Sequence, residues 1–167
     1  GGDFCYDAFE FREMRGVTEK IAGLGFPGLV FGILDSDHNV DSRRCAELVD
    51  IARNLNPDIQ LTFHRAFDEV TDPISSYQQL AALGFDRVLT SGKGLTAVAG
   101  KALIGRLINE FGNRPVVMPA GGVRPENAAA FLALGATNLH SAATPNASDG
   151  VDAATVRSLA DAVHQAR

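Results

Sequence analysis

Leu61-Thr62-Phe63-His64-Arg65-Ala66-Phe67-Asp68 begins as an apolar strand and ends with an imidazole, a guanidinium and a carboxylate side by side. Parallel α/β folds bind their ligands at the carboxyl ends of strands, where loops rather than core packing decide the sequence. Side chains alternate across a strand, so Leu61 and Phe63 share one face and Thr62 and His64 the other. With the apolar pair under helices, His64 faces the interior, and Arg65 and Asp68 sit at or beyond the rim. Two readings stay open. In one, His64, Arg65 and Asp68 are a catalytic group; in the other, His64 is a core histidine held by a backbone carbonyl and Arg65 and Asp68 are a strand-end ion pair.

Outward from this stretch, short apolar runs recur at 29–34, 87–91, 115–119 and 138–142, giving five strand candidates with 59–67. Each reads as a strand buried on both faces. Between them run stripes of helical period: Phe11, Met14, Val17, Ile21 and Leu24; Cys45, Leu48, Val49 and Ala52; Ile74, Tyr77, Leu80 and Ala81; Leu103, Ile104, Leu107, Ile108 and Phe111. A last helix, 153–166, is expected to bury Val156, Leu159, Ala160 and Val163, after a surface loop at 144–152. Strands alternating with helices predict an α/β fold with parallel strands and crossover helices. Gly25, Gly84 and Gly135 each close a helical stripe before a strand, where a left-handed residue is needed. Asp72-Pro73 and Arg124-Pro125 mark helix starts, with Asp72 as a cap.

A closed eight-stranded barrel takes about 250 residues. Five strands in 167 residues match such a barrel without roughly its first three strands. The opening Gly1-Gly2-Asp3-Phe4, with no methionine and no preceding strand, fits that expectation. An open, doubly wound five-stranded sheet is the competing architecture.

With 46% apolar residues the chain can bury the core of a single domain, expected to span 1–167. Fifteen basic and 20 acidic residues give a net charge of −5 without blocks of one sign. That argues against nucleic-acid or membrane-surface partners and leaves small-molecule or metal chemistry. Only two cysteines are present, without CxxC or zinc spacing, so neither a disulfide framework nor a structural zinc site is expected, and a reducing cytoplasm fits.

Other residues could carry chemistry. The same alternation places His140 on the interior side, with Leu139 under helices. The loops Thr90-Ser91-Gly92-Lys93-Gly94 and Ala120-Gly121-Gly122-Val123-Arg124 follow strands, and their glycines let backbone N–H groups approach an oxyanion. Ser91, Gly92, Lys93, Gly121, Gly122 and Arg124 are therefore candidate anion-binding residues. Tight turns that need positive φ explain the glycines equally well. Cys45 falls in an apolar stripe and is expected to be buried and inert. Cys5, in a polar segment, is the candidate metal-binding thiol; with His64 and His140 it could hold Cu(I), a soft ion that takes thiolate and accepts imidazole. No two of these ligands are close in sequence.

Gly1-Gly2-Asp3-Phe4-Cys5-Tyr6, Val30-Phe31-Gly32, the stretch from Leu61 to Asp68, Arg87-Val88-Leu89-Thr90-Ser91-Gly92 and Met118-Pro119-Ala120-Gly121-Gly122-Val123 together resemble the copper homeostasis protein CutC family. The likeness keeps order and spacing from Gly1 to about Ser141. It implies a TIM-type (β/α)8 barrel, a cytoplasmic location, a role in copper tolerance or trafficking with copper as the ion handled, and self-association as a homo-oligomer. It also implies that Gly1 follows the third barrel strand, so the five candidates would be strands four to eight. The partner is then either a copper ion or a small anionic molecule. The alternative function is a barrel enzyme acting on a small anionic, for example phosphorylated, substrate at the C-terminal mouth: Arg65 and the glycine loops would hold it while His64 or Asp68 moves a proton. A third expectation is an open sheet edge that pairs with another chain.

Overall fold

The computed structural model describes residues 2–112, 114–144 and 150–165. In order, the elements are α1 (Ala8–Gly23), β1 (Gly28–Phe31), α2 (Ser42–Leu55), β2 (Gln60–Phe63), a 3-10 turn (Arg65–Glu69), α3 (Pro73–Ala82), β3 (Arg87–Thr90), α4 (Lys101–Glu110), β4 (Val116–Pro119), α5 (Pro125–Leu132) and α6 (Ala153–Gln165). The strands form one sheet in the order β1-β2-β3-β4. β1 runs parallel to β2 from Gly28 beside Gln60 to Phe31 beside Phe63, and β2 runs parallel to β3. The α/β class expected from the alternating pattern is what the chain adopts. Contacts divide it into two compact units, Gly1–Val88 and Leu89–Arg167.

The first unit packs α1 against α2 and against β1. Leu61 and Phe63 are fully buried, as the alternation predicts. Burial of each contributes about 1.5–3 kcal/mol. Phe85 meets Phe63 edge-on at 5.5 Å and Phe31 at 5.1 Å, joining β1 and β2 to the turn before β3. The α2 stripe of Cys45, Leu48, Val49 and Ala52 is buried as read from the sequence. The α1 stripe is corrected. Its buried face is Phe11, Thr18 and Ala22, while Val17 and Leu24 are exposed. At about 100° per residue, Val17 lies about 120° around the helix from Phe11 and Thr18 only about 20°. In α3, Tyr77 and Leu80 are buried with Ser76, and Ala81 is exposed. Asp72 caps α3 by accepting the N–H groups of Ile74 and Ser75 at 3.0 and 3.2 Å.

In the second unit, α4 packs on β4 and buries Ile104, Leu107 and Ile108, and α5 lies against α6. The N–H of Ala120 donates to Thr90 O at 2.8 Å, joining the ends of β4 and β3. The fifth expected strand, 138–142, is not one, although its His140 N–H donates to Pro119 O at the end of β4 at 3.0 Å. The Ser141 hydroxyl instead donates to Val123 O, its oxygen accepts the Ala143 N–H, and Ala143 turns to φ +50°. The last helix forms, but no residue of it is buried; Val156 is 45% exposed. Leu159, Ala160 and Val163 line a cavity of about 340 Å³ with Val123 and Leu139, so this apolar face is only partly filled. Leu139 is thereby on the α6 side, as alternation predicts. Residue 166 and most of the expected 144–152 loop fall outside the described residues. Gly25, Gly84 and Gly135 take the left-handed conformation expected after helix ends, at φ +75°, +83° and +94°. Among the described residues no helix is long and apolar enough to cross a membrane.

Candidate functional site

In the first unit, β2 ends sooner than the sequence suggests. His64 stands between the strand and the 3-10 turn, and its Nδ1 accepts the backbone N–H of Ala66 at 3.1 Å. That bond satisfies one of the donors a helical turn leaves open at its start. An accepting Nδ1 carries no proton, so the neutral ring holds its proton on Nε2. Burial pushes the imidazole pKa below its ordinary 6.5, against a smaller upward pull from its own backbone.

The ring is clamped on several sides. Phe4 lies 4.9 Å from it and Phe63 6.0 Å, centroid to centroid. Gly32, just past β1, abuts it so closely that a Cβ there would stand 2.7 Å from Nδ1 and 2.8 Å from Cε1. Phe4 adopts φ +59°, a conformation that costs a side-chain-bearing residue about 1–2 kcal/mol. Its carbonyl accepts the Leu34 N–H at 3.0 Å, which anchors the segment while the phenyl ring meets His64.

Arg65 and Asp68 form an ion pair, Nε to Oδ2 at 2.7 Å, with the carboxylate side chain 6% exposed and the guanidinium 45% exposed. The arginine thus neutralises a buried carboxylate at the strand end, as the ion-pair reading anticipated. Cys5 donates its thiol hydrogen to Asp35 O at 3.2 Å and, more weakly, to Asp3 O at 3.6 Å. Burial, then the carboxylates of Asp3 and Asp35, raise its pKa. Cys45 is buried, as expected, with its pKa raised to about 12, chiefly by desolvation.

In the second unit, the loop after β3 uses its own donors. The Ser91 hydroxyl donates to Gly94 O at 2.7 Å, and Gly92 N–H donates to Thr90 Oγ1 at 2.8 Å. Gly92 at φ +67° and Lys93 at φ +59° make the reversal. The loop after β4 differs. Gly121 and Gly122 are both left-handed, at φ +95° and +75°, and among the described residues their N–H groups have no hydrogen-bond partner. Gly121 O accepts the Ala97 N–H, and Asn127 brackets the start of α5 by accepting from Arg124 N and donating to Gly122 O. Arg124, Pro125 and Glu126 line a cavity of about 560 Å³ with Thr144, Thr155 and Ser158. His140 is exposed.

Phe4, Gly32 and Thr90 lie in motifs the sequence singles out but are given no role there, and Asn127 is not singled out. Gly32 carried a signal, a glycine directly after an apolar strand; the others act through contacts that only folding creates.

The donor set does not fit a copper centre. Cu(I) calls for soft sulfur ligands with imidazole in support. Cys5 is the one thiol not locked in the core, and it sits among carboxylates that disfavour its thiolate. Nδ1 of His64 is engaged by Ala66 and Nε2 is protonated, so the ring offers a metal no lone pair. Among the described residues no three His, Cys, Asp or Glu side chains gather as a metal-holding group.

Comparison with known proteins points one way. The sequence profile of the CutC family matches residues 1–145. A family protein CutC of Erwinia tasmaniensis is 41% identical over 148 residues, covering 89% of this chain and 57% of the relative. That of Citrobacter koseri is 45% identical over 143 residues, covering 86% and 56%. The chain thus spans little more than half the length of these relatives. A solved structure named for copper homeostasis, CutC from Streptococcus agalactiae, superposes with a TM-score of 0.76 at 31% identity, over 84% of this chain and 67% of that one. Another, named native KDPGal, gives a TM-score of 0.64 at 17% identity over 91% and 65%, a likeness of fold alone.

Proposed function

The chain belongs to the CutC family, with an α/β fold of the TIM-barrel-like kind, and we propose that it serves copper homeostasis in the cytoplasm by holding a small anionic ligand at its strand ends. Copper is then the ion whose level the protein influences, and not an ion coordinated by its own side chains. The copper role is supported by the name of the Streptococcus agalactiae relative. The anionic ligand is supported by one observation above the others: the N–H groups of Gly121 and Gly122, which have no partner among the described residues, at the carboxyl end of β4 and just before α5. Paired donors at a strand end beside a helix N-terminus suit an oxyanion. Arg124 adds positive charge beside them. A single barrel domain that self-associates is part of the same reading.

Two titrations test it. Anaerobic Cu(I) is titrated into the chain and into Cys5→Ser against a chromogenic chelator, with circular dichroism showing that both are folded. The expected result is no saturable, stoichiometric binding in either; stoichiometric binding that Cys5→Ser abolishes would restore a direct copper site. Inorganic phosphate is then titrated into the ¹⁵N-labelled chain. Saturable shifts of the Gly121 and Gly122 amide signals are expected, and unmoved signals would remove the anion from the reading.

A further inference from the structure

We infer that His64 is a fixed hydrogen-bond donor, presenting Nε2–H to an oxygen of an anion at the carboxyl end of β2, with Phe4 and Gly32 as the residues that position it. The inference rests on the anionic-ligand reading for its ligand class, but its geometry is independent of that reading. Nδ1 is committed to the Ala66 N–H at 3.1 Å, which fixes the tautomer. Phe4 at 4.9 Å, Phe63 at 6.0 Å and the bare Cα of Gly32 fix the ring plane. Phe4 holds a left-handed backbone to make its contact, and such conformations persist where surrounding structure over-determines them. Among the described residues Nε2 has no partner, although the ring sits at the carboxyl end of β2, where parallel folds take their ligands. A donor that cannot rotate or change tautomer needs no reorganisation when an oxyanion arrives. It also discriminates: an oxygen acceptor is welcome, and a metal ion, which needs a lone pair, is not.

The experiment separates the two functions of the ring. Asn at this position can keep the acceptor that caps Ala66 while losing the distal donor; Gln keeps a distal N–H donor and disturbs the cap. Long-range ¹H–¹⁵N spectra of the histidine-labelled chain at about pH 8 should show His64 with an unprotonated Nδ1 and a protonated Nε2. Inorganic phosphate should move the Nε2 signal saturably. His64→Asn should weaken phosphate binding about tenfold with its unfolding midpoint little changed, and His64→Gln should retain more of the affinity. A His64 spectrum with the proton on Nδ1 would overturn the assignment of the donor. Phosphate affinity unchanged in a folded His64→Asn would overturn its contact with the ligand. A wild-type chain that binds no phosphate, yet shows the Nε2–H tautomer, would overturn the anion reading and with it the ligand half of this inference.

Discussion

Gly32 and His64 are packed so that the Cα of one is the wall of the other: a Cβ on Gly32 would stand 2.7 Å from Nδ1. The imidazole has no room to retreat, since Phe4 and Phe63 lie against it. Gly32→Ala is therefore expected to destabilise the fold by about 1–3 kcal/mol through overpacking. Urea unfolding monitored by circular dichroism reads this directly, and an unchanged midpoint would show that the ring moves freely.

The lowered pKa of His64 gives stability a pH dependence of known sign. Above its ordinary 6.5, folded and unfolded chains both hold a neutral ring and the stability is fully present. As the pH falls, the unfolded chain takes the proton first, so stability declines until the lower folded pKa is passed. Asp35, whose pKa is lowered chiefly by the Asn39 N–H, adds a decline only below its ordinary 3.8. Unfolding free energies between about pH 7.5 and 5 should drop for the natural chain and flatten for His64→Asn. Parallel profiles would contradict the buried neutral ring.

The loop after β3 is closed by backbone against backbone. A Cβ on Gly92 would stand 2.1 Å from Gly100 O, and one on Gly100 would stand 1.9 Å from Ser91 O. Gly92 is also left-handed at φ +67°. Either alanine substitution must open the loop, costing about 3 kcal/mol or more, whereas Gly112→Ala, with open space around it, should pay only the smaller strain of its φ of +65°. Equal thermal shifts for the three variants would refute the ordering.

Asp86 serves two partners with one oxygen. Its Oδ2 accepts the Leu61 N–H at 2.7 Å and lies 3.3 Å from Arg53 Nη2. Removing it leaves the N–H of Leu61, at the heart of β2, without that acceptor. Asp86→Ala should cost about 1–3 kcal/mol, most of it from the N–H rather than from the partly exposed ion pair. Asp86→Asn, which keeps an oxygen, should cost less, and chemical denaturation of both decides.

The two thiols should differ in reactivity. Cys45 is buried with its pKa raised to about 12, while Cys5 is half-buried and raised less. Alkylation of the folded chain followed by mass spectrometry should modify Cys5 alone, and Cys45 only after denaturant is added. Modification of Cys45 at a comparable rate in buffer would mean that α2 opens readily.

Much of the fold was legible because it follows from local periodicity. The α2 stripe, the buried Leu61 and Phe63, the Asp72 cap and the left-handed Gly25, Gly84 and Gly135 depend on neighbours within a turn or a strand, and each appears as read. The failures are those of partners. The face of α1 shifted toward Thr18 and Ala22, and α6 buried nothing, because burial belongs to what a helix packs against and not to its own stripe. The 138–142 run has strand composition but forms no strand, and composition cannot tell which partner a backbone will find.

The sequence by itself determined the alternation of strands and helices, and residue type and parity marked His64, Arg65, Asp68 and the glycine loops as candidate positions for chemistry. Only the tertiary structure decided what those residues do. The Ala66 N–H chooses the tautomer of His64, Arg65 spends its charge on the buried Asp68 carboxylate, and Ser91 and Gly92 turn their donors inward while Gly121 and Gly122 leave theirs open. A donor, an acceptor or a lone pair is available to a ligand only when folding has not already assigned it, and that assignment is made by atoms far apart in the sequence or by the exact turn of the backbone.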